Sequence, residues 1–457
     1  MSRKKSSSIA LPLTGLILLF LAGLYIAFSF SSKCSLAEAE AAIKADGRPT
    51  EIGAILPPDI PDGDNASVDY QAAANRLREE PRDDGDLFAQ LTAAAADLIG
   101  DSPDPDALDR FRALYESGAV GEALAMIEDG ALKEGYRNDL DFSLGVHLEL
   151  PHISELISFA KILAATVRVQ AADGDQAGAW DTALTALRLA NALEEEPLLI
   201  SQLVRIGTMK VAIESIRGLD YSAATPGHLA AVDGLLARFD NHEPLVAAID
   251  SERLMGESFF SRSWDEIGPF VGGDHADWGT RIGMGAYRIL PPLRHMDRAA
   301  RNNALRAFAA NLEQPFSPED HSISGRIMED VAAYNLVTRA TTPAIFAFKK
   351  RMTVSFAESR VTRAGIAAIR FREQHGSYPA DLAAIGGIDV TDPFTGQPLL
   401  YRPEGAGFSI SSVGANFTDD GSPGNPGTSD DIRWRYVEPA AGDDPAVPSQ
   451  RQPQVRP

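Results

Sequence analysis

From residue 9 to residue 30 the chain runs for about 22 residues without a charge. At ~1.5 Å of helical rise each, these residues cover the ~30 Å hydrocarbon layer of a bilayer, so they are expected to form a membrane-spanning helix. A cleaved signal peptide carries a shorter apolar region of ~7–15 residues, which favours a retained anchor. Arg3, Lys4 and Lys5 precede the run. Basic flanks stay in the cytoplasm, which sends everything after Ser31 to the extracytoplasmic side, the periplasm in a cell with two membranes. Lys33 stands directly before Cys34, where a lipoprotein needs small residues. Gly23 and Ala27 form a small-xxx-small pair, read here as two small residues in an apolar run.

The remainder must fold in water. With 457 residues the chain exceeds the size at which one core keeps growing, so more than one folding unit is expected. A hydrophobic content of 44% and a charged content of 23% are ordinary for globular protein. The net charge of −22 repels polyphosphate, which excludes nucleic acid as a partner, and is read as solubility. Cys34 is the sole cysteine, so no intramolecular disulfide contributes.

Beyond the membrane, Ser35-Leu36-Ala37-Glu38 has the pattern of a capping box opening a short helix that Gly47 ends. Pro57, Pro58 and Pro61 then break the pattern around Asp59, Asp62 and Asp64, whose spacing is not that of a calcium hand. From Asp69 to about Asp320 apolar residues recur at three and four. The clearest runs are 152–172, 177–193 and 197–218, joined by short links such as Ala172-Asp173-Gly174-Asp175 and expected to stack as antiparallel hairpins. The stretch from Gly174 to Trp180 has a helical-repeat flavour, but no fixed period is sustained. Runs 229–239, 244–260 and 278–311 continue the helical pattern, with breaks at Gly272-Gly273-Asp274 and at Pro315-Phe316-Ser317-Pro318. Residues 324–374 read as two helices in line or one helix kinked by Pro343, with core positions at Ile327, Val331, Leu336, Ile345, Phe348, Met352, Phe356, Ile366 and Ile369.

The most specific stretch follows. A helix end runs into Gly376-Ser377-Tyr378-Pro379; Asp392-Pro393-Phe394 turns, with Gly396 and Pro398 after it; strands are expected at Tyr401 and over 408–413; Ser412–Gly414 supplies a Ser-x-Gly; and an Asp/Gly loop closes on Asp430-Asp431-Ile432. Together these elements resemble the globular domain of the major pseudopilin of type II secretion systems, over roughly a sixth of the chain. Nothing between Met1 and Gly23 has the Gly-then-apolar, fifth-position Glu arrangement of a prepilin leader, so the globular module alone carries over. The resemblance implies calcium in the loop 416–431, with Asp419, Asp420, Asp430 and Asp431 as candidate ligands. Calcium takes six to eight oxygens, so several carboxylates would have to converge from a glycine-bent loop.

Enzyme signatures are thin. Ser158-Phe159-Ala160-Lys161 matches a Ser-x-x-Lys without its partner motifs, and Pro151 separates His147 and Glu149 from His152. The expected fold is mainly α: a basic tail 1–8, an anchor 9–30, an extracytoplasmic helical-hairpin domain 31–320, a long helix with a small α+β pseudopilin-like module over 325–436, and a disordered tail 437–457. Three functions stay open: a non-catalytic envelope scaffold or assembly protein with a protein partner and a calcium-locked module, an accessory component of a type II secretion or pilus-like system, and an envelope enzyme whose site is assembled across helices.

Overall fold

The helix that carries the apolar run does not stop where that run ends. In the computed structural model, which describes residues 10–82, 85–100, 105–261, 278–329, 331–421 and 430–438, one helix, α1, runs unbroken over Ala10–Ala45. The basic tail, the expected break at Gly272-Gly273-Asp274 and almost all of the expected C-terminal tail lie outside these residues. The capping pattern at Ser35 therefore opens no new helix, because no residue from Leu24 to Ala45 is a Gly or Pro that would interrupt the ladder. Ser32 folds its hydroxyl back onto the Ser29 carbonyl at 2.9 Å, a bond compatible with the helix. Gly47, at φ 70°, does end it: the amides of Gly47 and Arg48 donate to the carbonyls of Lys44 and Ile43, the two bonds of a left-handed helix stop.

The chain beyond α1 is mainly helical. α2 (Ala66–Arg78), α3 (Leu87–Ile99), α4 (Ala107–Tyr115) and α5 (Gly118–Ala131) pack beside the central hairpins, with a two-residue ribbon, β1 (Pro81–Arg82) and β2 (Gly85–Asp86), between α2 and α3. α6 (Pro151–Ala172), α7 (Gln176–Ala192) and α8 (Leu199–Arg217) are the three helices expected from the apolar period, and each packs on the next. Gly174, at φ 83°, turns the chain between the first two, and Asp175 caps α7 by accepting from the Gly178 amide at 3.0 Å. α9 (Pro226–Phe239), α10 (Glu243–Met255), α11 (Ser258–Ser261), α12 (Trp278–Ile289), α13 (Pro291–Leu312), α14 (Ile323–Glu329) and α15 (Leu336–Phe346) follow. α13 lies along the second half of α1, where Ala39 and Ile43 are buried and Arg298 and Arg306 pair with Glu40 and Asp46.

The last helix, α16 (Phe348–His375), holds the C-terminal third to the rest. It is separated from α15 at Ala347 and not at Pro343, because the proline's missing amide leaves only the Arg339 carbonyl without a helical donor and α15 continues for another three residues. Of the expected core positions, Val331, Ile345, Phe348, Met352, Phe356, Ile366 and Ile369 are buried, and Ile327 and Leu336 are half-buried against the core. Three antiparallel strands, in the order β3 (Leu400–Glu404), β4 (Gly407–Ser412), β5 (Ile432–Val437), pack on α16. Ile410 sits opposite Tyr401 on one side and Trp434 on the other, and Phe408 sits opposite Tyr436.

The helical hairpins also pack on α16, through α8 and α9. Arg217 donates from Nε to Thr362 Oγ1 at 2.9 Å and from Nη2 to the Glu358 carbonyl at 3.0 Å; Arg360 pairs with Asp240 at 2.6 Å and Arg363 with Asp233 at 2.7 Å. The Trp434 and Tyr436 rings meet Tyr221 at 5.8 and 5.5 Å, so one hydrophobic core continues from Ala66 to Tyr436 across the Pro315–Pro318 break. Trp434 reaches that position because residue 365 is glycine: a Cβ there would lie 2.1 Å from the indole. Gly365→Ala is therefore expected to lower the unfolding free energy by about 1–3 kcal/mol, as overpacked cores do. Denaturant unfolding of the detergent-solubilised chain, followed by tryptophan fluorescence, checks it; an unchanged midpoint would contradict the contact.

Candidate functional site

The loop that joins β4 to β5 passes through a left-handed residue, Phe417 at φ 59°, and carries all four expected carboxylates; its residues 422–429 lie outside those described. The turn beneath it is firmly built. Buried Asp392 accepts from the Phe394 amide and the Ser412 hydroxyl, both at 2.9 Å, and from the Val413 amide at 3.0 Å, so the Asp-Pro-Phe turn is tied to the end of β4.

The structure brings the four carboxylates into one neighbourhood but supplies each with an internal partner. Asp419 pairs with Arg402 of β3 and lies 4.0 Å from Arg433 of β5. Asp420 accepts on Oδ2 from Asn416 Nδ2 and from the Asp430 amide, both at 3.0 Å. Asp430 faces Lys350 of α16 at 3.8 Å. Asp431, with a side chain 3% exposed, meets Arg433 at 2.8 Å. Burial pushes the Asp431 carboxyl above its ordinary range, and the charges of Asp420 and Asp419 push the same way. Three cations thus balance most of four anions. A calcium ion would have to take Oδ atoms from Arg402, Arg433 and Asn416 to gather the oxygens it needs. Among the described residues no group of three or more His, Cys, Asp or Glu stands ready to hold a metal.

A second polar cluster was not legible in the sequence. His152, in the first turn of α6, points Nε2 at Glu196 Oε1 at 2.9 Å, and Ser201 of α8 donates its hydroxyl to the same oxygen at 2.5 Å. Gln202 donates from Nε2 to the Leu193 and Glu196 carbonyls at 2.8 and 3.0 Å, and Asn138 Nδ2 reaches Glu196 Oε2 at 3.3 Å. All of these groups except Asn138 are buried. The order matters chemically. A nucleophilic serine needs an imidazole to take its proton, with a carboxylate behind the ring. Here the carboxylate stands between serine and imidazole, so the cluster fastens the start of α6 to the start of α8 and activates nothing.

The remaining sequence candidates separate. Ser158 donates its hydroxyl to the Ser154 carbonyl at 2.9 Å, a helix back-bond that leaves it no role toward Lys161. His147 ends a short turn preceding α6 and does not join His152 at Glu196. A cavity of about 190 Å³ opens between α2, the turn after α5, α7 and α9, lined by Tyr70, Lys133, Arg188, Asn191, Glu194 and Arg238. Its cations are largely engaged, since Lys133 pairs with Asp69 at 2.5 Å and Arg238 with Glu194.

Removing a shared buried acceptor strands every donor around it. Glu196→Ala is expected to cost roughly 2–4 kcal/mol of stability, with Glu196→Gln costing less because it keeps an oxygen acceptor; equal losses in thermal unfolding would contradict the clasp. Comparisons with protein-family models, with curated proteins and with solved structures find no match to this chain.

Proposed function

We propose that this protein is a non-catalytic, membrane-anchored envelope scaffold or assembly protein, with its basic N-terminal tail in the cytoplasm and the chain after Ser31 on the far side. The observation that carries the reading is α1. Its first half is long and apolar enough to cross a membrane, with Leu16, Leu19, Phe20 and Ile26 more than half exposed, and its second half is docked to α13 by buried Ala39 and Ile43 and by two ion pairs. A helix shared in this way transmits the position of the body to the membrane without a flexible link, which suits a part that holds another protein at a set height.

The helical domain offers candidate contact points in Leu144, in the turn before α6, and Ile200 of α8, both exposed apolar side chains outside α1. A photoreactive amino acid placed at each position in the full chain, irradiated in cells, is expected to yield a discrete adduct of one mass at one or both; only diffuse background at both would contradict a dedicated partner.

A second reading, an accessory component of a type II secretion or pilus-like system, is favoured by the combination of Gly376, Tyr378, Pro379 and the Asp392 turn with three antiparallel strands laid on a long helix. The calcium lock belongs to that reading and is tested by titrating calcium during thermal unfolding. The whole chain is required, because Trp434 and Tyr436 pack on Tyr221. A ligand bound only by the native state raises the midpoint by mass action. A rise abolished by Asp430→Ala/Asp431→Ala is the result that supports calcium; an unmoved midpoint at millimolar calcium removes it and leaves Arg402, Arg433 and Lys350 as the loop's counter-ions.

A further inference from the structure

The way α13 is docked on α1 fixes where the body meets the bilayer. Ser32 Oγ lies 3.5 Å from His295 Nδ1, and fourteen residues further on, just past the end of α1, Asp46 pairs with Arg306, so the two helices run side by side in the same direction. Stepping back from His295 to Pro291, the first residue of α13, covers four residues, roughly 6 Å along the axis. That brings the α12–α13 corner level with Phe28. Phe28 and Ser29 are indeed where α1 first becomes partly covered, and they fall inside the apolar run rather than beyond it. The corner therefore sits at the depth of the headgroup layer.

The side chains at this corner suit that depth. Ile289 is 75% exposed, next to exposed Arg288 and Pro291. Arg294 stands one turn into α13 with its guanidinium 5.8 Å from the Tyr287 ring centre, and Lys33 is exposed on α1. Among the described residues no carboxylate pairs with Arg288, Arg294 or Lys33, in a chain whose net charge is −22. In the same region the nearby Arg298 is already held by Glu40 and Glu257. Cations without a carboxylate partner among the described residues, beside one exposed isoleucine at the level where an apolar helix leaves the bilayer, match a lipid surface bearing anionic phosphates.

We propose that the α12–α13 corner, Arg288, Ile289 and Arg294 with Lys33 of α1, is a second membrane contact, with Ile289 in the interface and the cations on anionic lipid headgroups. It rests on the reading of α1 as a membrane span, and it gives the body a fixed tilt that a single helix cannot provide.

The test uses the full chain with Cys34→Ser, reconstituted in nanodiscs of phosphatidylcholine alone or with phosphatidylglycerol. A nitrobenzoxadiazole label is placed in turn at Leu19→Cys, Ile289→Cys and Ala45→Cys. Ala45 is exposed and lies roughly 25 Å beyond Phe28 along α1, so it reports water. The proposal expects quenching by deep spin-labelled lipid at position 19, by shallow spin-labelled lipid at position 289, and by neither at 45. At 289 the quenching should be stronger with phosphatidylglycerol and fall to the phosphatidylcholine level in Arg288→Glu/Arg294→Glu. Lipid quenching at 19 with only aqueous iodide quenching at 289 overturns the second contact and leaves the anchor standing. Absence of lipid quenching at 19 overturns both. Lipid quenching at 289 that ignores phosphatidylglycerol and the charge reversal overturns the headgroup pairing.

Discussion

Trp434 resting against the bare backbone of Gly365 is the contact on which the arrangement of this molecule turns. It brings β5 close to α16, and because the same indole meets Tyr221 it also ties the sheet to the helical hairpins. A helix buried against both a sheet and two other helices has little face left for water, which is why α16 carries Ser355, Ser359 and Thr362 as buried polar residues beside Met352 and Ile366. Each of those hydroxyls reaches a carbonyl: Ser355 that of Met352, Ser359 that of Leu236, Thr362 that of Glu358. Small polar side chains satisfied in this way let the helix be crowded by sheet and hairpins without unpaired groups.

Arginine does much of the fastening between elements. Arg205 of α8 donates to Asn191 Oδ1 at 2.9 Å with its guanidinium over Phe239, and burial pushes it down to about 10. Arg301 of α13 donates to the Arg253 and Glu252 carbonyls at the end of α10, where Gly256 leaves room for it. Arg217 bridges α8 to α16. A planar group with several donors can satisfy two carbonyls at once, which lysine does not do as well.

What the sequence revealed follows from the range of each interaction. Helices α6, α7 and α8 were legible because their apolar residues sit at helical spacing and their links are short, both local facts. The Asp392 turn was legible for the same reason. The continuity of α1 through Ser35 was not, since a capping pattern looks alike at a true helix start and inside a helix held by tertiary contacts at Ala39 and Ile43. The third strand escaped notice although Ile432, Trp434 and Tyr436 alternate with Arg433 and Arg435 in period two. The loop's counter-ions could not be foreseen: Arg402 reaches Asp419 from β3, and Lys350 faces Asp430 from α16. The Glu196 clasp draws its members from residues 138, 152, 196, 201 and 202, a juxtaposition only the packing of α6 on α8 creates.

The account of the molecule as an anchored scaffold stands on α1 being one rigid helix from the membrane into the body. Hydrogen–deuterium exchange of the full chain in nanodiscs, read across the peptides covering residues 16–48, tests that directly. An unbroken helix predicts slow exchange from the apolar half through Ser31–Leu36 and on to Ile43, with protection falling only in the last turn around Gly47. Rapid exchange confined to residues 31–36 would show a hinge there, and a body free to swing on its anchor contradicts the account.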